Sequence, residues 1–278
     1  MSEPVRIVVL VENTVHRHGL LAEHGLGFHI QTAGCSLLFD AGQTDLALLN
    51  ARSLGIDLSQ LDALVLSHGH YDHTGGVSAV LEVARKARVY LHPAALEAKF
   101  SRVPGGQPRY IGMNRETARN LRRQAGGLVE TVAPTPITES IFVTGEIPRA
   151  TSYEDTGGPF FLDAGGQTPD PLVDDQALII DLGPNLIVLL GCAHSGVVNS
   201  LDHISQLTGG KPVQAVIGGF HLGSAGEERL HRTISRLRAA KLSCLAPLHC
   251  TGWPATARLW QTMPEMFQPA GVGTVFEF

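Results

Sequence analysis

The chain has 278 residues, 44% hydrophobic and 17% charged, a balance that supports a sizeable buried core and excludes a disordered chain. A formal charge of −5 argues against an electrostatic nucleic-acid surface, and no apolar run approaches the roughly 18–20 residues that a membrane span needs. Four scattered cysteines, Cys35, Cys192, Cys244 and Cys250, contain no CxxC pair and are too few for a disulfide scaffold, so a reduced cytoplasm is the expected setting.

Taken in chain order, "VRIVVLV" (Val5–Val11) reads as a first strand. "GFHIQT" and "SLLFDAG" read as a hairpin turning at Ala33-Gly34. "TDLALLNARSLG" has helical apolar spacing, a Thr44 N-cap and a Gly55 stop. "LDALVLSH" is a buried strand that ends in a histidine cluster; "VSAVLEVARKA" is a helix and "RVYLH" a strand. Residues 93–139 differ, being rich in Arg, Gly and Pro and poor in apolar residues. They read as an insertion, part loop and part helix, that serves as a lid, a surface excursion or a contact with another subunit of a homodimer.

A second run follows: strands at "SIFVTGEI", "QALIIDLG" and "LIVLLGCAH", a helix at "VVNSLDHISQLTG", and a strand at "VQAVIGGFH". The helix "EERLHRTISRLRAA", the strand "LSCLAPLHC", the helix "ATARLWQTMPEMF" and the strand "GTVFEF" complete the chain. "FHIQTAGCSLLFDAGQTDLALL" and "ALIIDLGPNLIVLLGCAHSGVVNSL" share one pattern of strand, Gly turn, strand, small-residue turn and helix. Two such halves packed face to face predict a single α/β sandwich over residues 1–278.

"HGHYDH" sets four ligand-type residues in six positions directly after a buried strand. Imidazole and carboxylate bind zinc, iron and manganese. Alternation along an extended segment turns His68 and His70 to one side, and the following turn brings Asp72 and His73 round, so two cations can share the stretch. Gly75-Gly76 is read as permitting the sharp turn into the next helix. His194, His221 and His249 each close another apolar strand, and α/β sites gather at the carboxyl ends of strands. A lone histidine in such a place is more often a cap or core residue; it is the repetition that points to a site. His16, His92, His203 and His231 follow no such rule.

"HGHYDH" resembles the HxHxDH signature of the metallo-β-lactamase superfamily. "LLFDAGQT", "GCAHSG" and "PLHCTG" are similar to its Asp-x-Gly strand and its later histidine motifs. Together with "VENTV", "EHGLGFHI", "GEIPRATSYE", "DDQALII" and "GGFHL", they resemble the dihydropteroate-synthase-like branch, named for an archaeal enzyme of methanopterin biosynthesis. The resemblance implies an αββα sandwich of two mixed sheets flanked by helices. It implies one or two divalent cations, with zinc the first choice and iron or manganese the alternatives. One cation would take His68, His70 and His194, the other Asp72, His73 and His249, with Asp40 orienting ligand groups behind them. In the superfamily's hydrolases a bridging Asp usually follows the strand after the third motif. Here "VQAVIGGFHL" offers His221 and no carboxylate, so His221 either binds a cation or donates a proton to substrate.

Such a centre suits hydrolysis of a small ester or phosphorylated substrate, with Asp72 and His221 as the catalytic residues. The second reading is a pterin-type transferase joining a dihydropterin diphosphate to a ribofuranosyl-aminobenzene phosphate, as the resemblance to the branch implies. A metal-holding redox or sensor protein is the third reading. Lys99, Arg102, Arg109, Arg115, Arg119, Arg122 and Arg123 lie in the insertion, and guanidinium groups suit phosphate. Arg102, Arg109 and Arg115, with Trp253 stacking on a flat ring, are the substrate-binding candidates. Cys192 and Cys250 flank ligand histidines and read as small buried hydrophobes, with a thiolate ligand as the alternative.

Overall fold

The computed structural model describes residues 4–102, 105–123 and 127–278. In chain order the strands are β1 (Arg6–Val11), β2 (Gly27–Gln31), β3 (Ser36–Phe39), β4 (Ala63–Val65), β5 (Arg88–Leu91), β6 (Phe100–Ser101), β7 (Arg109–Tyr110) and β8 (Leu128–Glu130). They continue with β9 (Thr135–Pro136), β10 (Ile141–Val143), β11 (Phe160–Phe161), β12 (Ala177–Asp181), β13 (Leu186–Leu190), β14 (Val213–Gly219), β15 (Cys244–Leu248) and β16 (Val275–Glu277). The helices are α1 (Leu46–Ser53), α2 (Tyr71–Thr74), α3 (Val77–Val83), α4 (Arg115–Arg123), α5 (Val197–Leu207), α6 (Glu227–Ala239) and α7 (Trp253–Thr262).

One sheet has seven strands in the order β16-β1-β2-β3-β4-β5-β8, and a second has six, β15-β14-β13-β12-β10-β9. Both are mixed. The run β3-β4-β5-β8 is parallel in the first, and β13-β14-β15 in the second. The strands are apolar on both faces because both faces are covered. Ile7, Val9, Leu37 and Phe39 meet Leu178, Ile180, Ile187, Leu189 and Ile217 in a core between the sheets. Their alternate neighbours Val8, Leu10, Leu38 and Leu64 pack under α1, α3 and α4, while Val188, Val216 and Leu245 pack under α5, α6 and α7. The result is the αββα sandwich expected from the sequence. Truncating one of these fully buried side chains to Ala costs about 2–5 kcal/mol. The repeated pattern is structural: β2-β3-α1 and β12-β13-α5 are each an antiparallel hairpin, a helix and then a strand parallel to the hairpin's second arm.

Some local expectations differ. Asp45, not Thr44, occupies the N-cap of α1, and the Thr44 hydroxyl accepts from Leu46 N–H at 3.3 Å. Helix α7 ends at Thr262, because Pro264 cannot continue a helix. Within the stretch taken as an insertion, β8 and β9 belong to the two main sheets, and only β6 and β7 leave them, pairing with β11 in a separate three-stranded sheet. Residues 103–104 and 124–126 of that stretch lie outside the described residues. Gly75 and Gly76 have ordinary helical φ and ψ; they are required because a Cβ would strike the Gln43 and Ala41 carbonyls. No helix among the described residues is long and apolar enough to cross a membrane.

Candidate metal centre

The parallel strands of both sheets deliver their carboxyl ends to one place. Asp40 follows β3, Ser67 and His68 follow β4, Cys192 and His194 follow β13, His221 follows β14 and His249 follows β15. Asp40, Ala193, His221 and His249 have φ between 45° and 60°, a left-handed conformation that non-glycine residues seldom adopt. The chain thus turns away abruptly at each strand end and leaves the side chain aimed across the gap between sheets. Such strain persists only where packing enforces it.

His70 is the N-cap of the one-turn helix α2, which carries Asp72 and His73. His68 Nε2 and His70 Nδ1 are 3.0 Å apart, close to the roughly 3.3 Å between two ligands on one tetrahedral zinc. The His194 ring centre lies 4.8 Å from that of His68 and 4.9 Å from that of His70. On the other side, His249 Nε2 is 3.2 Å from Asp72 Oδ2, and the His73 and His249 rings are 5.1 Å apart. The structure therefore brings together both three-residue groups named from the sequence. His221 joins them, with its ring 4.4 Å from that of His194.

Five of the rings are held by the outer nitrogen. His68 Nδ1–H donates to Ser67 Oγ at 2.9 Å, and that hydroxyl donates to Asp40 Oδ2 at 2.7 Å. His73 Nδ1–H donates to the same Asp40 oxygen at 2.7 Å. His194 Nδ1–H donates to the Thr156 carbonyl, His249 Nδ1–H to Asn13 Oδ1 and His221 Nε2–H to the Gly157 carbonyl. On the opposite side of their rings, His194 Nε2 and His249 Nε2 present lone pairs inward and, with His221 Nδ1, are buried with no hydrogen-bond partner; His70, whose Nδ1 faces His68, has its Nε2 buried and unpartnered. An unsatisfied buried polar group costs about 1–3 kcal/mol. A cation satisfies several of these lone pairs at once, so the residues present fit a metal ion.

The electrostatics agree. Burial, reinforced by neighbouring imidazoles, drives His68 and His194 well below the usual histidine range, and burial takes His70 to about 3. These rings are neutral and free to ligate. Burial works against ionisation of Asp72, but the adjacent His24 and His249 rings hold its carboxyl well below the usual range. Burial would lower His73 too; the Asp40 carboxylate overrides it and raises the imidazole to about 9.

Behind the site stand Asp174, Asp175, Glu12 and His24, which the sequence reading did not single out, and Cys192, for which it left a thiolate ligand as the alternative to a buried hydrophobe. Asp174 accepts the Gly69 N–H at 2.7 Å, inside the HGH turn, and Asp175 accepts the Ser195 N–H at 2.7 Å, beside His194. The adjacent carboxylates of "VDDQ" thus each fix one ligand-bearing loop. Glu12 accepts the His249 N–H at 2.9 Å. His24 lies 3.3 Å from Asp72 Oδ2 and borders the opening. Cys192 is 2% exposed, with its sulfur 3.1 Å from His73 Nε2; it stands among the ligand atoms rather than merely filling space. The only sequence signal for these residues was their place in quoted motifs or beside a ligand histidine.

A cavity of about 230 Å³ opens onto the cluster, lined also by Tyr71, Ser101, Arg109, Ile111 and Phe160. Of the substrate candidates, Arg109 lines it, with its guanidinium 5.0 Å from the centre of the Tyr71 ring. Arg102, Arg115 and Trp253 do not. Arg102 donates to the Gly165 carbonyl, Arg115 sits over Tyr110, and Trp253 is 75% exposed at the start of α7. Lys99 is likewise withdrawn, ion-paired with Asp170 and Asp174 at 2.9 and 2.8 Å.

A model of the metallo-beta-lactamase superfamily matches residues 28–202, which carry β2 to α5 and four of the clustered histidines. The chain belongs to this superfamily. It is 28% identical over 99% of its length to the 7,8-dihydropterin-6-methyl-4-(beta-D-ribofuranosyl)-aminobenzene-5'-phosphate synthase of Methanocaldococcus jannaschii, covering 97% of that enzyme. It is 32% identical to an uncharacterized protein of the same organism, MJ0448, over 92% of this chain and 94% of the other. Among solved structures, Tm1679, described as a metal-dependent hydrolase of the beta-lactamase superfamily, superposes with a TM-score of 0.80 at 28% identity, covering 99% of each chain. This superfamily member therefore matches relatives with two different kinds of chemistry along almost its whole length.

Proposed function

We propose that the protein is a metal-dependent hydrolase, acting through a cation-activated water on a small phosphorylated or ester substrate. The observation that carries this reading is the set of buried, unpartnered nitrogens of His194, His221 and His249, each backed by a hydrogen bond at the other nitrogen of its ring, facing one open cavity. The mixed nitrogen, oxygen and sulfur donors favour zinc, with iron or manganese as alternatives. Divalent cations held there would make hydroxide available at neutral pH and stabilise negative charge on a phosphoryl or carbonyl oxygen.

The chain's own residues account for the rest. His68, His70 and His194 form one ligand group, and Asp72, His73 and His249 the other. The Asp72 carboxylate is ionised and accepts a hydrogen bond from the attacking water, which orients it. His221 is raised above the ordinary imidazole range: burial opposes this, but Cys250 and the Gly157 carbonyl prevail. Its Nδ1, buried and without a partner, is the atom that delivers a proton to the leaving oxygen, and the upward shift favours the protonated ring. Arg109 anchors a substrate phosphate at the rim. The Phe160 ring, 5.0 Å from His70 and 5.2 Å from His194, shields the reacting centre from bulk water.

The test is elemental analysis of protein purified without added metal, followed by a panel of phosphodiesters, lactones and thioesters in ¹⁸O-labelled water. Label in the product supports hydrolysis. The second reading is a pterin-type transferase, favoured by the end-to-end similarity to the M. jannaschii synthase. It requires released diphosphate and a coupled product that takes no oxygen from water.

A further inference from the structure

Two ligand groups that share no histidine meet at one atom. The Cys192 sulfur forms a cluster with ligand nitrogens of His68 and His194, every member within 4.8 Å of the others, and it forms a second such cluster with His73 and His249. It lies at the carboxyl end of β13, where the chain turns through Ala193 at φ 53°. In each cluster one further donor is open: His194 Nε2 in the first and His249 Nε2 in the second are buried and without a partner. The strand that would bring a bridging carboxylate ends instead in His221, which carries no negative charge and whose Nε2–H is already committed to Gly157.

We propose that Cys192 is the bridging ligand of a two-cation centre, its thiolate sulfur joining the His68/His70/His194 position to the Asp72/His73/His249 position. Imidazole offers one lone pair per nitrogen and no charge. A thiolate has several lone pairs on one atom and carries the negative charge that the missing carboxylate would have supplied. Zinc–sulfur bonds of about 2.3 Å permit two cations on one sulfur at the roughly 3.5–4 Å separation of two-metal sites. On binding, the S–H bond breaks, its electron pair forms the metal–sulfur bonds, and the proton passes to solvent. Cys250 belongs to a different cluster, with Cys192 and His221, and is not placed between the two histidine groups.

This inference rests on the metal-centre reading above, and cobalt(II) substitution separates the two. Metal-free wild-type protein is titrated with cobalt(II) and followed by absorption and by bound metal per chain, with no substrate present. The expected result is two cobalt ions per chain and a thiolate-to-cobalt charge-transfer band in the near ultraviolet. Cys192→Ala should abolish that band and reduce binding to one ion or none, whereas Cys250→Ala should retain the band. A two-cobalt wild type without the band overturns the bridge and leaves the metal centre standing, as does saturation at one ion. A band lost in Cys250→Ala but kept in Cys192→Ala also overturns it. No cobalt binding at all overturns both readings. The wild-type spectrum decides the matter even if Cys192→Ala does not fold.

Discussion

Asp40 Oδ2 accepts a 2.7 Å hydrogen bond from His73 Nδ1–H, and the same oxygen accepts a second, also 2.7 Å, from the Ser67 hydroxyl that holds His68. One fully buried carboxylate at the end of β3 therefore fixes an imidazole in each proposed ligand group. It selects the tautomer with the lone pair inward and makes His73 a stronger base. Asp40→Ala should free both rings and lower cation affinity by about 10–100-fold, as loss of such a supporting partner typically does. Chelator-competition titration measures this; unchanged affinity would remove Asp40 from the centre.

Lys99 has a structural role instead of the phosphate contact that its place in a cationic segment suggested. It is 1% exposed and pairs with Asp170 and Asp174, and Asp174 in turn holds the HGH turn. Lys99→Met should leave two buried carboxylates uncompensated and destabilise the fold by about 3–5 kcal/mol. Urea unfolding of the metal-free protein tests this, and a loss below about 1 kcal/mol would be inconsistent with the pairing.

The sandwich and the convergence of histidines were legible because both follow from short-range patterns. Apolar strands buried on both faces and a ligand-type residue after each are visible in one dimension. The cationic segment was not legible in this way. Nothing in "KFSRVPGG" distinguishes a lysine buried against two aspartates some seventy residues away from an exposed one. Nor does sequence spacing reveal that the paired carboxylates of "VDDQ" support loops after β4 and β13, since those contacts span 105 and 20 residues. For Cys192 the sequence leaves two readings, a small buried hydrophobe and a thiolate ligand, for a related reason. A buried cysteine is usually a small hydrophobe, and only the third dimension places this one between two imidazole groups.

Arg109 is the one candidate guanidinium that reaches the cavity wall. Arg109→Ala should raise KM for a phosphorylated substrate by about 10-fold or more, in line with the strength of charge-assisted contacts. The content of bound metal should not change. Steady-state kinetics with elemental analysis distinguish this from a defect of the centre; an unaltered KM would assign Arg109 to the Tyr71 contact alone.

His221 separates ligand from proton donor. Its ring rests on Gly157, where φ is +83° and a Cβ would run into the imidazole. If His221 donates a proton, His221→Ala should retain full metal content and lose activity. Gly157→Ala, which displaces the ring without removing it, should show a partial form of the same loss. Metal content falling in His221→Ala would instead make it a ligand.

Asp175 gives the fold a pH dependence of its own. Burial raises its carboxyl to about 6 from an ordinary 3.8, although hydrogen bonds from Ser195 oppose the shift. A carboxyl whose pKa is higher in the folded protein binds more protons there than in the unfolded chain between those two values. Its favourable contribution is complete below about pH 4 and is lost as pH rises through about 6. The shift corresponds to about 3 kcal/mol, because one pKa unit is worth about 1.4 kcal/mol. Asp175→Asn keeps an acceptor for Ser195 N–H but cannot ionise. In metal-free protein its stability relative to wild type should therefore increase by up to about that amount between pH 4 and pH 7. Denaturant unfolding across this range measures the difference, and a constant offset between the two proteins would show that Asp175 does not titrate in the folded state.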